Sequence, residues 1–427
     1  MTEHLVKNAS TLDGGEVDIE IRSGIIDAIV PAGQGDESDF SNDRIFDAND
    51  RLVTPPLIEP HLHLDATLTA GTPRWNQTGT LDEGIDIWGK YKKDLKYEDV
   101  QERATRCIEW LVANGVTRVR THADTTEEDL TAVRALCDLR SDVDHLIDLQ
   151  VVGFPQDGIV TDQGNEDLLR DAIDIGIDII GGIPHNEDTR EDGVQDVKIA
   201  CELAGAHDMP LDLHIDETDD PGSRFTEVLA SEARKRSLSG VTASHATAMH
   251  SYPNQYAAKV IDLLKSAGVN VITNPPDNSV LQGRFDDYPR RRGHTRVDQL
   301  REAGVTVGIG HDSVMDPWYH YGIGDPLDAA FILIHYGHFS GRNDVHSIWE
   351  MLTTANAEIF GAGNYGLKEG NDGSLAIHQA SDAFNALRRR PPRRLVLRDG
   401  EPIARTKPGD TTIHTRQGSR TVNFSRD

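Results

Sequence analysis

Eight short apolar, β-branched segments alternate with segments of helical periodicity through the middle of the chain. The helical segments, for example residues 100–115, place apolar side chains at three- and four-residue spacing and end at glycine. This alternation is typical of a parallel sheet with crossover helices. Eight such units predict a (β/α)8 barrel of the TIM type. The predicted strands lie within residues 52–64, 116–124, 146–155, 177–185, 210–217, 240–246, 270–276 and 306–313.

The two ends of the chain have a different pattern. Residues 1–54 and 366–427 contain short apolar stretches separated by turn residues, and they lack the helical spacing of the middle. Such stretches are typical of antiparallel strands joined by tight turns. We predict that the two terminal segments pair into one small β-sandwich domain, and that residues 55–365 form the catalytic barrel domain.

Acidic residues outnumber basic ones, and the net charge is −28. Binding of phosphate backbones requires a basic face, so this charge argues against nucleic acid as a partner. The acidic residues are spread along the chain rather than gathered in one block. Two interpretations stay open: an ordinary acidic surface, or a protein of a high-salt cytoplasm, where screening relieves the repulsion among these charges.

The sequence predicts a cytoplasmic protein that has no membrane partner. Its first fifteen residues are polar and do not resemble a signal peptide, and no apolar run is long enough to span a bilayer. The cysteines Cys107, Cys137 and Cys201 are dispersed and odd in number. A disulfide framework or a zinc ribbon is therefore not expected.

His61 and His63 follow an apolar run and are separated by one residue. In an extended strand such positions share a face, so both imidazoles can approach one metal ion. His214 and Asp312 stand at the ends of two further predicted strands. Three imidazoles and a carboxylate suit zinc or ferrous iron better than magnesium or calcium. A cation held in this way lowers the pKa of water to about 7 and provides a hydroxide nucleophile.

Two more polar residues follow predicted strands. Glu217 comes three residues after His214, and a carboxylate there can move a proton from attacking water to a leaving nitrogen. His245 can hydrogen-bond the nucleophile or the developing oxyanion. The fourth predicted strand, residues 177–185, contains no lysine that could bridge two metal ions. One divalent metal per subunit is therefore predicted, which favours hydrolytic release of ammonia over opening of a cyclic amide.

Long motifs at matched spacing resemble the bacterial cytosine deaminases of the amidohydrolase superfamily. The likeness runs from about residue 50 to residue 330, with a weaker extension into the C-terminal tail. The motifs that carry the resemblance occupy residues 55–85, 117–125, 148–159, 181–191, 212–225, 242–252, 281–293 and 310–322.

The resemblance implies a mononuclear barrel enzyme that uses Fe²⁺ or Zn²⁺. It assigns the metal to His61, His63, His214 and Asp312, proton transfer to Glu217, and orientation of the nucleophile to His245 with Asp312. It further implies that Gln156 binds the amide edge of a pyrimidine and that Trp318 closes over the ring. It also implies a homo-oligomer, with a hexamer as one candidate.

Some residues depart from the family pattern. Ser313 stands where the family has a second aspartate against the substrate, Met315 stands where an aromatic is frequent, and residues 274–284 are less apolar than usual. The prediction is hydrolysis of the nucleobase cytosine to uracil and ammonia, in pyrimidine salvage. Alternatives are a 5-substituted cytosine, isoguanine, a pterin or a creatinine-like ring, and then a cyclic-amide hydrolase. A metal-bearing scaffold without turnover would not need Glu217 and His245.

Overall fold

The computed structural model describes residues 3–407, 409, 411–422 and 424. Its strands are β1 (Glu3–Ser10), β2 (Glu16–Arg22), β3 (Ile25–Pro31), β4 (Ile45–Thr54), β5 (Leu57–Leu62), β6 (Val116–Asp124), β7 (Asp148–Phe154), β8 (Ile179–Ile180), β9 (Leu211–Ile215), β10 (Val241–His245), β11 (Asn270–Thr273), β12 (Val307–Ile309), β13 (Leu375–His378), β14 (Arg393–Arg398), β15 (Glu401–Arg405), β16 (Thr412–Thr415) and β17 (Gly418–Thr421). They belong to two compact units.

The helices mostly alternate with the strands of the larger unit. They are α1 (Leu81–Tyr91), α2 (Tyr97–Ala113), α3 (Thr131–Asp142), α4 (Asn165–Ile175), α5 (Arg190–His207), α6 (Phe225–Arg236), α7 (Asn254–Ala267), α8 (Pro275–Leu281), α9 (Val297–Glu302), α10 (Pro326–Tyr336), α11 (Asp344–Leu352), α12 (Thr354–Phe360) and α13 (Ala383–Arg389). Within the described residues, none of them combines the length and the apolar character that crossing a bilayer requires.

The smaller unit comprises Met1–Pro56, Val112–Gly115 and Asn364–Asp427. Seven of its strands form one sheet, in the order β15-β14-β13-β4-β1-β2-β3. Strand β4 joins the two halves, because it pairs in parallel with β1 and antiparallel with β13. Buried side chains of both halves share one core. The terminal segments thus build a separate sheet, as predicted.

The larger unit, Leu57–Leu111 and Val116–Gly363, contains the predicted barrel. Strands β5 to β12 are parallel, and each is hydrogen-bonded to the next in chain order. The ring is closed by a bridge between Leu62 and Asp312. There the Asp312 amide donates to the His61 carbonyl at 2.9 Å, and the His63 amide donates to the Asp312 carbonyl at 3.1 Å. The structure confirms the TIM-type fold.

Two predicted strands differ in detail from the structure. Residues 52–64 do not form one strand, because Pro55 and Pro56 lack the amide hydrogen that a ladder needs. Strand β4 therefore ends at Thr54 and β5 begins at Leu57, so His63 lies just beyond a strand. Strand β8 has only two residues, and it ends where Gly181 passes the Gly153 carbonyl so closely that a Cβ would lie 2.4 Å from that oxygen.

Candidate active site

The residues predicted to carry the chemistry lie in the barrel strands or just after them and meet at one end of the barrel. His61 lies in β5, His214 in β9 and His245 at the end of β10, while His63, Glu217 and Asp312 come just after strands. Parallel strands bring their carboxyl ends to the same face, where barrel enzymes build their sites. The structure brings these six side chains together and buries all of them.

Three imidazoles and one carboxylate converge on a common point. The Nε2 atom of His214 lies 3.2 Å from Nε2 of His61 and 3.0 Å from Nε2 of His63. Each of those two nitrogens lies 3.4 Å from Oδ1 of Asp312. One ligand atom from each of the four residues therefore lies within the reach of a single ion. The position of His63 beyond the strand does not prevent this convergence.

A hydrogen-bond chain behind His61 fixes the orientation of its ring. Ser244 Oγ donates to Asp212 Oδ1 at 2.6 Å, and it lies 3.0 Å from His61 Nδ1. Asp212 is also bound by Arg120 at 2.9 Å. Because the Ser244 hydroxyl donates its hydrogen to Asp212, the Ser244 oxygen accepts a hydrogen bond from Nδ1–H of His61. The His61 Nε2 atom then keeps a lone pair for a metal, which is how outer partners orient metal-binding histidines.

The buried charges of the site fit a bound cation. Burial, which disfavours the charged form, lowers the pKa of His63 to about 4 and holds the pKa of His61 and His214 well below its usual value, so these imidazoles are neutral donors. Burial and the nearby Asp277 and Glu217 raise the pKa of Asp312 well above its usual range. A divalent cation would offset this repulsion among carboxylates, and neutral imidazole with carboxylate is a donor set that zinc and ferrous iron accept.

Glu217 and His245 lie beside this group. Oε1 of Glu217 is 3.5 Å from Nδ1 of His245, and Oδ2 of Asp312 is 3.7 Å from the same nitrogen. Burial raises the pKa of Glu217 to about 8, so its carboxyl group can hold a proton near neutral pH. The backbones of His245 (φ 69°) and Asp312 (φ 74°) are left-handed, a strained conformation for such residues that is frequent at functional sites.

A cavity of about 190 Å³ opens beside the converging residues. Its volume is below the range of about 300–1,000 Å³ that is usual for drug-sized ligands, so it suits one small ring. Phe154, Gln156 and Trp318 line it together with Glu217 and Ser313. The structure therefore places the residues predicted to bind substrate at the cavity, while their individual contacts with a substrate stay predictions.

Trp318 is held by the helix that follows β5. Its ring lies so close to Gly84 that a Cβ there would be 2.4 Å from Cδ1 of the indole. It also packs against Trp88, at 6.2 Å between ring centroids, and against Leu281. Helix α1 thus provides one wall of the cavity through an apolar contact that requires glycine.

Besides the residues behind His61, sequence reasoning missed residues at the cavity and beside His245. Asp277 lines the cavity and accepts a hydrogen bond from Ser313 Oγ at 2.7 Å. Asn278 Nδ2 contacts His245 Nδ1 at 3.2 Å, and His185 also lines the cavity. Asp277 and Asn278 belong to the segment after β11 that departs from the family pattern, and His185 ends the fourth predicted strand. Polar residues directly after predicted strands were the signal that could have identified them.

The fold and this site define a barrel hydrolase, and comparisons with known proteins agree. The sequence profile of the Amidohydrolase family matches residues 78–404, and the chain belongs to this family. The enzyme is thus an amidohydrolase, of the cytosine deaminase type that the motifs resemble. The histidine and aspartate cluster fits the divalent metal that this family typically binds.

Individual relatives act on nitrogen heterocycles. The crystal structure of 5-methylcytosine deaminase from Klebsiella pneumoniae liganded with 5-fluorocytosine has 41% sequence identity and a TM-score of 0.91, covering 95% of this chain and 98% of that one. Pterin deaminase from Rhizobium rhizogenes is 28% identical, over 95% of this chain and 91% of its own length. N-isopropylammelide isopropyl amidohydrolase from Pseudomonas sp. strain ADP is also 28% identical, over 84% and 88%.

Proposed function

We propose that the enzyme hydrolyses 5-methylcytosine to thymine and ammonia. The observation that carries this proposal is the small, neutral Ser313 at the cavity of a chain that is 41% identical to a 5-methylcytosine deaminase. An aspartate at that position would occupy more of the space beside the ring. Cytosine itself, the first prediction from the sequence, would leave part of the cavity unfilled, and an unfilled apolar contact costs binding free energy.

The proposal includes one divalent metal ion, Fe²⁺ or Zn²⁺, in each subunit. His61, His63, His214 and Asp312 would hold it, since their ligand atoms converge. When bound, such an ion supplies a Lewis acid that lowers the pKa of water to about 7.

The protein's own residues would move the protons. Glu217 takes a proton from the attacking water and passes it to the ring nitrogen beside the amino-bearing carbon. The water oxygen bonds to that carbon as a hydroxyl group. Glu217 then takes the second proton from this hydroxyl group and gives it to the departing amine, the bond between carbon and the amino nitrogen breaks, and the carbonyl forms, so that water is consumed and ammonia is released. His245 steers the attacking oxygen with Asp312. Gln156 binds the amide edge of the ring and Trp318 covers its face.

A substrate panel tests this proposal. Ammonia release from 5-methylcytosine, cytosine, isoguanine and a pterin is measured with protein of known metal content, and we expect the highest kcat/KM with 5-methylcytosine. Chelation should abolish turnover, and added Fe²⁺ or Zn²⁺ should restore it. Faster turnover of isoguanine or the pterin, full activity after complete chelation, or ring opening without ammonia would each contradict the proposal.

A further inference from the structure

Asp277 is a buried carboxylate in the cavity that the mechanism above does not use. It lies in α8, directly after the seventh barrel strand, and only 2% of its surface is exposed. Its Oδ2 atom accepts the hydrogen bond from Ser313. Its Oδ1 atom is buried and has no hydrogen-bond partner within the described residues. A buried polar atom without a partner is costly, so this oxygen requires a partner that the described part of the chain does not supply.

The position of Asp277 indicates which part of a substrate it faces. Gln156 follows β7, the third barrel strand, whereas Asp277 follows β11, the seventh. In an eight-stranded ring these strands are diametrically opposite. If Gln156 binds the amide edge of a pyrimidine, the side of the ring that carries the amino group and the 5-substituent faces Asp277. Ser313, which is small, stands next to it on the same side.

We propose that Asp277 is a substrate-binding residue whose Oδ1 accepts a hydrogen bond from the exocyclic amino group of the ring. It thereby selects an amino ring over the corresponding oxo ring, because a carbonyl oxygen has no hydrogen to donate to Oδ1. Ser313 holds Asp277 in place through its hydroxyl group. In this chain the carboxylate beside the substrate comes from the segment after the seventh strand, while the segment after the eighth supplies a serine. The inference rests on the proposed deamination.

The same contact has a consequence for the product. Hydrolysis converts the amino group into a carbonyl, so the hydrogen bond to Asp277 Oδ1 is lost. Asp277 would therefore favour departure of the product as well as binding of the substrate. A residue with a purely structural role would affect the amino ring and the oxo ring alike.

The test compares Asp277→Asn with the wild type on both rings. Asparagine keeps the shape of the side chain and can donate to a carbonyl. We expect kcat/KM for 5-methylcytosine to fall about 10- to 100-fold, the range for a hydrogen bond to a charged group. Inhibition by thymine should become tighter, with Ki falling by about 10-fold or less. Ser313→Ala, which removes the hydroxyl that holds Asp277, should shift both constants in the same directions by smaller factors.

Controls separate this inference from the function on which it rests. Asp298→Asn makes the same chemical change at an exposed site in α9 and should leave both constants unchanged. Metal content and Tm are measured for every variant. If the wild type releases no ammonia from 5-methylcytosine, the proposed function fails. If the wild type is active and Asp277→Asn weakens substrate and thymine equally, or changes neither, the inference about Asp277 is overturned.

Discussion

Glu217 illustrates how burial adapts an ordinary carboxyl group to a proton-transfer role. The side chain lies in the cavity wall, and burial alone raises its pKa to about 8. A group that exchanges protons with water and with an amine works best when its pKa is near the working pH. Of the two aspartates that follow it in the sequence, Asp219 is half-buried and Asp220 is exposed. Position in the fold, not residue type, distinguishes Glu217 from them.

At the level of this residue, Glu217→Gln should retain the metal and lose turnover. Glutamine keeps the size of the side chain and cannot take up a proton, so kcat should fall about 100- to 10,000-fold, the usual contribution of general acid–base catalysis. Ammonia release and metal analysis measure the two effects. Glu202→Gln, at an exposed position of α5, is the matched control and should behave as the wild type. A Glu217→Gln enzyme with substantial activity would remove Glu217 from the mechanism.

Helix α1 lines one side of the cavity and contacts the ring of Trp318. Thr80 caps its first turn by accepting from the Glu83 amide, and Asp82 and Glu83 complement the positive end of the helix. Ile87 and Trp88 are buried on its inner face. These contacts fix the helix, and the helix in turn fixes the ring of Trp318. A displacement of α1 would therefore reach the substrate through Trp318.

At the level of this element, Gly84→Ala should reduce activity more than stability. The added methyl group would meet the indole of Trp318, so the ring must move from its place at the cavity. We expect kcat/KM to fall about 10- to 100-fold, since small displacements of positioning groups cost that much. Steady-state kinetics and Tm are the measurements.

The same helix contains a matched control. A Cβ added at Gly89 would meet nothing within 4 Å. Gly89→Ala should therefore keep full activity and raise stability by about 0.5–1 kcal/mol, since alanine is the better helix former. Equal kinetics in both variants would show that Trp318 does not act on the substrate.

On the scale of the whole molecule, the net charge of −28 sets a dependence on salt. At about 0.01 M salt the Debye length is roughly 30 Å, so the acidic groups repel one another across the surface, and at about 1 M it is roughly 3 Å. We expect Tm to rise between these concentrations of potassium chloride, measured by thermal unfolding with metal-loaded protein. A Tm that stays constant or falls would contradict the high-salt interpretation and favour an ordinary acidic surface.

Much of the barrel could be predicted because its strands and helices are specified by patterns within short segments of the sequence. The strands are runs of apolar and β-branched residues, and the helices have apolar side chains on one face, so both are visible in a single sequence. His61 and His214 were predictable for the same reason, as polar residues that interrupt or end such strands. The motifs resemble one enzyme family, which the comparisons confirm, and this resemblance indicated the class of reaction. The exact substrate was not visible in this way.

Other features depend on contacts between distant parts of the chain. The pairing of Asp277 with Ser313, the chain from Arg120 through Asp212 and Ser244 to His61, and the contact of Gly84 with Trp318 each join residues that are far apart in sequence.

The sequence by itself determined the barrel, the acidic character and the set of metal-ligand side chains, because periodicity and residue type are properties of short segments. Only the tertiary structure decided which of the many acidic residues face the cavity, since burial and the neighbours of a side chain arise when the ring of strands closes. The raised pKa of Glu217, and the Asp277 oxygen that has no hydrogen-bond partner among the described residues, exist only in that closed ring.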